Sequence, residues 1–299
     1  MRLPPPRSPA FEAFVAPARA RPQLWRLALG LGVVALLWAA VTVALLRLAP
    51  EAVAAPAERV VLVAYLYGFA GMILGLWVAA RLLQRRSFAG LIGPDGFAPG
   101  DFLLGVAAMA AIGVASGAVW LALAAPTQAQ PAAAWAAWLP LALPALLVQT
   151  AAEELVFRGY LMQGLAARFR SWLVWWLLPA LLFGLLHWSP QVYGADAWLA
   201  VLSATLIGLA LADVTARTGG LSLAMGLHFA NNVAAVLILA PPSELSWLSL
   251  FAVDVDPADP AAMRRLILAD LATTLAAYAL WLGFGGRWRR LHPGGRGSI

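Results

Sequence analysis

The sequence predicts an all-α protein, a polytopic transmembrane bundle of about eight helices. Three observations predict it. Hydrophobic residues make up 63% of the chain and charged residues 11%, with a mean hydropathy of +0.81; a soluble domain carries about a quarter charged residues. The apolar residues come in runs of about 20, the length that crosses a hydrocarbon core, rather than in one-sided stripes. The runs are rich in Leu and Ala and do not alternate in period two, which argues against strands.

The elements follow in order. Residues 1–25 are rich in Pro and Arg, and that composition predicts a disordered cytoplasmic segment. The first apolar run, Leu27–Leu46, is too long for the core of a signal peptide and has no cleavage site after it, so it reads as the first spanning helix. The next runs are Val60–Ala80, Phe102–Ala125 and Trp138–Leu165, the last interrupted by charges. Trp172–His187 and Ala197–Ala212 are shorter, and Leu221–Ala240 and Leu266–Phe284 complete the set. Gly71 and Gly75 in the second run form a GxxxG, which predicts a close helix contact. Trp25, Trp135, Trp172, Trp188 and Trp288 fall near run ends, where interfacial aromatics belong.

Orientation follows from arginine, because every basic residue in the chain is arginine. Arg2, Arg7, Arg19, Arg21, Arg26, Arg81, Arg85, Arg86, Arg168, Arg170, Arg217, Arg287, Arg289, Arg290 and Arg296 fall on one side. Arg47, Arg59, Arg264 and Arg265 fall on the other, with acidic Glu244, Asp254, Asp256 and Asp259. This split predicts a multi-pass protein of the cell (inner) membrane with both termini cytoplasmic. The net charge of +6 is thereby a matter of topology, and no nucleic-acid partner is expected. The absence of cysteine excludes disulfides, thiolate metal sites and a cysteine nucleophile. The Ala- and Arg-rich composition points to a GC-rich bacterial source.

The chemistry lies where charge is costly. An ionised side chain at mid-membrane costs roughly 2.5–3.5 kcal/mol on insertion scales and points to function. Ala-Ala-Glu-Glu-Leu-Val-Phe-Arg-Gly-Tyr places Glu153, Glu154 and Arg158 in the fourth run. Glu154 and Arg158 are spaced i,i+4 and can pair. Glu153 lies about 100° round the helix and is left available. His187 follows Phe183 by four residues, and His228 precedes Asn232 by four, so each pair shares a helix face. At ~1.5 Å per residue, Glu153, His187, His228 and Asn232 lie roughly 20, 22, 10 and 17 Å from their cytoplasmic ends, depths that overlap near mid-membrane. Alone, a buried Glu–Arg pair is as often structural as functional, a lone histidine or asparagine is often packing, and His292 in the basic tail is ordinary. The combination is more specific.

Glu153-Glu154-x-x-x-Arg158, Phe183-x-x-x-His187 and His228-x-x-x-Asn232 resemble the three ordered motifs of the CAAX-protease and bacteriocin-processing (CPBP) intramembrane proteases, which include the type II CAAX prenyl protease. The resemblance covers roughly Leu91 to Ala240, with Leu-Ile-Gly-Pro-Asp-Gly before the third run in keeping with it. It implies a protease core at 91–240, preceded by two helices at 26–90. Residues 241–299 follow as an extracytoplasmic loop, a last helix and a basic cytoplasmic tail.

It also implies an endopeptidase acting on a peptide or membrane-protein substrate in the bilayer. Glu153 and His187 would orient and deprotonate a water. His228 and Asn232 would donate to the oxyanion, and Arg158 would hold Glu154. No cofactor is required by this reading. Zn²⁺ on Glu153, His187 and His228 is the alternative, although there is no His-Glu-x-x-His. Two other classes compete: a non-catalytic scaffold or immunity protein, and a proton-coupled transporter, against which stands the lack of any inverted repeat.

Overall fold

The computed structural model describes residues 3–5, 7–48, 57–124, 126–240, 244–253 and 259–291. Arg2, Asp254, Asp256, His292 and Arg296 lie outside the described residues, as do the side chains of Glu244, Arg287, Trp288, Arg289 and Arg290.

The helical elements are α1 Pro9–Val15, α2 Leu24–Leu48, α3 Ala57–Gly68, α4 Ala70–Val78, α5 Pro99–Ala124, α6 Ala132–Glu154, α7 Gln163–Arg168, α8 Leu178–Leu185, α9 Pro190–Tyr193, α10 Ala197–Thr218, α11 Ser222–Val233 and α12 Pro260–Leu291. Several run on through π-helical turns, so that Ala57–Leu83 and Ala132–Arg168 are single spans. Among the described residues six helices are long and apolar enough to cross a membrane, and there are two shorter apolar ones, Leu173–Leu185 and Ser222–Ile238. This is the helical polytopic bundle that the hydropathy pattern predicts.

Glycine sets how closely the helices approach. A Cβ on Gly71 or Gly75 would run into the backbone of Leu37 or Val34 on α2, so the GxxxG is a packing contact between α2 and α4. Gly226 of α11 lies against the Phe102 carbonyl of α5, and Gly105 of α5 lies against the Leu223 carbonyl of α11. This reciprocal contact holds α11, and with it His228, at a fixed rotation.

Four expectations are corrected. Residues 1–25 are not disordered where described. Ser8 caps α1 by accepting from the Phe11 amide (3.2 Å), and Phe11, Phe14 and Val15 are fully buried. Their i,i+3,i+4 spacing makes an apolar stripe, and each buried large side chain contributes about 1.5–3 kcal/mol. Arg7 donates to the Ala166 and Phe169 carbonyls (3.0 and 3.1 Å), satisfying the open end of α7.

His187, expected within a helix, sits in the turn just after α8. Pro190 disfavours helical backbone at Ser189, so the helix stops short. Arg217, expected in a connection, lies in the last turn of α10, which ends at Gly219 in the left-handed conformation (φ 76°). Strands were not expected, yet β1 Thr127–Gln128, β2 Leu239–Ala240 and β3 Phe251–Ala252 form a small sheet in the order β1-β3-β2. It joins connections, whose backbone groups need partners, and leaves the spans helical.

The arginine-rich segments gather at one end. There Arg26 Nη1 donates to the Leu83 carbonyl (2.7 Å) and Ser8 Oγ to the Ala216 carbonyl (3.4 Å). Arg86 Nη1 donates to Gln163 Oε1 (2.5 Å); burial pushes this guanidinium down to about 10. The opposite end holds the sheet, a bond from Arg59 Nε to the Trp247 carbonyl (3.0 Å), and the Arg264–Asp196 pair.

Candidate active site

The site begins where α6 gives way to a π-helical segment, Leu155–Met162. Such segments are rare and concentrate at functional positions. Glu154, the last residue of α6, is fully buried. Its Oε1 accepts from Arg158 Nη1 at 2.8 Å, the expected i,i+4 pair. The same oxygen lies 2.8 Å from His228 Nδ1 of α11. Arg158 also donates to the Gly208 carbonyl of α10 (3.1 Å), and its guanidinium lies 4.9 Å from the Phe183 ring centre. A buried guanidinium thus has a carboxylate, a carbonyl and an aromatic face around it, which offsets its desolvation.

Glu153 is different. Its side chain keeps 14% exposure, and its Oε2 lies 3.5 Å from His228 Nε2. His228 therefore stands between two consecutive glutamates, one nitrogen toward each. The resemblance has Glu153 and His187 act on a shared water; the histidine in direct reach of Glu153 is His228. His187 is exposed and its Nδ1 contacts the Phe183 carbonyl (3.0 Å). Phe183 lies between the two histidines, with ring centres 4.9 Å from His187 and 5.9 Å from His228.

α6 and α11 form a two-rung ladder. One turn before Glu153, Gln149 Oε1 accepts from Asn232 Nδ2 (2.9 Å), one turn after His228. Asn231 Nδ2 donates weakly to Asn232 Oδ1 (3.3 Å). Each four-residue step along one helix meets a four-residue step back along the other, as antiparallel helices require.

Comparison with known proteins meets this geometry at the same residues. The family described as type II CAAX prenyl endopeptidase, Rce1-like, matches residues 134–234. This stretch is similar to an Rce1-like domain. An uncharacterized protein, YyaK, of Bacillus subtilis (strain 168) is 34% identical over 87 residues, 29% of this chain and 29% of its own length. The shared stretch is thus well under half of that relative. No solved structure matches the chain.

The matched stretch contains every site residue named above, from Gln149 to Asn232. It contributes the two histidines and both asparagines to the wall of a cavity of about 1760 Å³, whose other walls come from α3, α5 and α12 outside that stretch. Tyr65 of α3 lines that cavity.

The zinc alternative calls for Glu153, His187 and His228 together; Glu153 and His228 adjoin at 3.5 Å, and among the described residues no group of three His, Asp or Glu side chains is placed to hold a metal.

Gln149 was missed from sequence, although a polar residue one turn before Glu153 in an apolar run was a usable signal. The bond of Arg158 to Gly208 left no such signal, because it depends on a backbone carbonyl of another helix.

Proposed function

We propose that this chain is an intramembrane endopeptidase that hydrolyses a peptide bond of a peptide or membrane-protein substrate admitted to the cavity. The observation that carries the reading is His228 held between Glu153 and Glu154 at the wall of that cavity. A fixed histidine beside a partly exposed carboxylate suits general acid–base chemistry.

In this mechanism Glu153 takes a proton from a water that His187 helps to orient. The resulting hydroxide attacks the peptide carbonyl carbon. His228, held through Nδ1 by Glu154 so that Nε2 stands beside Glu153 at the cavity wall, stabilises the oxyanion together with Asn232, which Gln149 positions. The C–N bond then breaks and Glu153 passes its proton to the leaving amine. Glu154 and Arg158 hold the histidine and do not touch the substrate.

The arginine distribution supports a multi-pass protein of the cell membrane with both termini cytoplasmic, and its gathering at one end of the bundle fits that orientation. The prenyl substrate in the family's description is not carried over; the class assigned is a peptide.

The test is purified full-length protein in liposomes with a peptide library, with and without a chelator. Cleavage is expected by the parent protein and a loss of about 10²–10⁴-fold in Glu153→Ala and in His187→Ala. Undiminished cleavage by Glu153→Ala overturns Glu153 as the base, and full complementation of a deletion by that variant overturns the reading in favour of a scaffold. Cleavage abolished by chelator and restored by zinc overturns the metal-free step.

A further inference from the structure

The cavity has a second polar point, on the wall away from α6. α12 presents Met263, Leu266, Ile267, Asp270 and Thr273 to it, positions three and four apart and therefore one helix face. Of these, Asp270 alone carries charge. α10 presents Ala200, Ser203, Ala204 and Ile207 in the same manner. Ser203 Oγ donates to Asp270 Oδ2 at 2.6 Å.

Asp270 is partly buried in an apolar setting, and among the described residues no cation pairs with it. Arg264 of the same helix is committed to Asp196, with bonds of 2.9 and 3.0 Å. A carboxylate kept at membrane depth with one hydroxyl as its partner is costly unless something offsets it.

The level is right for substrate. The backbone of Gly184 packs against Val201 and Thr205 of α10. Ser203 is therefore level with Gly184, three residues before His187. Asp270, bonded to Ser203, lines the same cavity as both histidines.

We propose that Asp270 and Ser203 form a subsite for a lysine or arginine side chain of the bound peptide. The long apolar stem of such a side chain lies along the cavity wall and its charged head reaches the carboxylate. A plain structural tie between α10 and α12 needs only the hydrogen bond to Ser203, which asparagine also supplies. Charge is what asparagine lacks, so Asp270→Asn separates the two roles.

Only the word peptide rests on the peptidase reading. The primary readout is therefore binding, with cleavage scored separately. Full-length protein in liposomes is titrated with a fluorescent apolar peptide in which one lysine is moved position by position, and with the norleucine twin of each. At one position lysine is expected to bind about ten- to a hundredfold tighter than norleucine. Asp270→Asn closes that gap without lowering thermal stability, and Asp270→Lys reverses it toward a glutamate peptide. Equal binding of all twins to the parent protein, or a gap that survives in Asp270→Asn, overturns the subsite. Binding as expected with no cleavage of any peptide leaves the subsite standing and overturns the peptidase reading instead.

Discussion

Two buried acid–arginine pairs have nearly the same geometry and different surroundings. Glu154–Arg158 closes at 2.8 Å and Asp213–Arg217 at 2.7 Å. Both are i,i+4 pairs, and all four side chains are at most 3% exposed. Around Asp213 the further contact is the Trp281 indole of α12, whose Nε1 donates to Oδ2 at 2.9 Å. Around Glu154 it is His228, which reaches past the pair to Glu153 and the cavity. A buried ion pair is thus no evidence of a site by itself. The neighbour that connects it to an open space makes it one.

Three experiments can break or sharpen that contrast. The largest effect is on stability and is shared. Arg158→Leu and Arg217→Leu each leave a buried carboxylate without its arginine, and each is expected to cost roughly 3–5 kcal/mol. Unfolding in detergent measures it, and a large cost at one arginine only defeats the equivalence of the pairs. Removing a whole pair separates them. Glu154→Leu with Arg158→Met, and Asp213→Leu with Arg217→Met, should each change stability by only about 1 kcal/mol, since the desolvation and the attraction vanish together. Peptide cleavage should fall about ten- to a hundredfold in the first double variant alone, because only there does His228 lose its carboxylate. Equal losses in both would remove the distinction.

The smallest effect is at Glu12, on the outer side of α1. Hydrogen bonds from Arg7, and then Arg19, hold the Glu12 carboxyl below its ordinary value of 4.5, against a desolvation that raises it. Because the folded value is the lower one, this support is complete above about pH 4.5 and fades as pH falls through the folded value. Limited proteolysis of the first twenty or so residues should show α1 loosening in that acid window. Glu12→Gln should remove the step.

Legibility in the sequence followed locality. The spans were readable because hydropathy along about twenty residues reports the solvent directly. The Glu154–Arg158 pair was readable because helix period alone brings the two together. The Asp213–Arg217 pair has the same spacing and was passed over, since the run was ended at Ala212 and Arg217 assigned to topology. The packing of α1 was hidden by a composition rich in Pro and Arg, although Phe11, Phe14 and Val15 stood at helical spacing. The His187 turn was misplaced because an apolar run does not show where Pro190 ends a helix.

The sequence by itself determined that this is a helical membrane bundle, which residues carry charge within it, and that Glu154 and Arg158 meet. Only the tertiary structure decided that His228 rather than His187 faces Glu153, that Gln149 holds Asn232, and that Asp270 opens into the same cavity. The reason is rotational. Hydropathy tells how long a helix is and leaves its rotation about its own axis open. Here that rotation is set by glycine contacts such as Gly105 and Gly226, and by the π-helical segment after Glu154, between residues far apart in the chain.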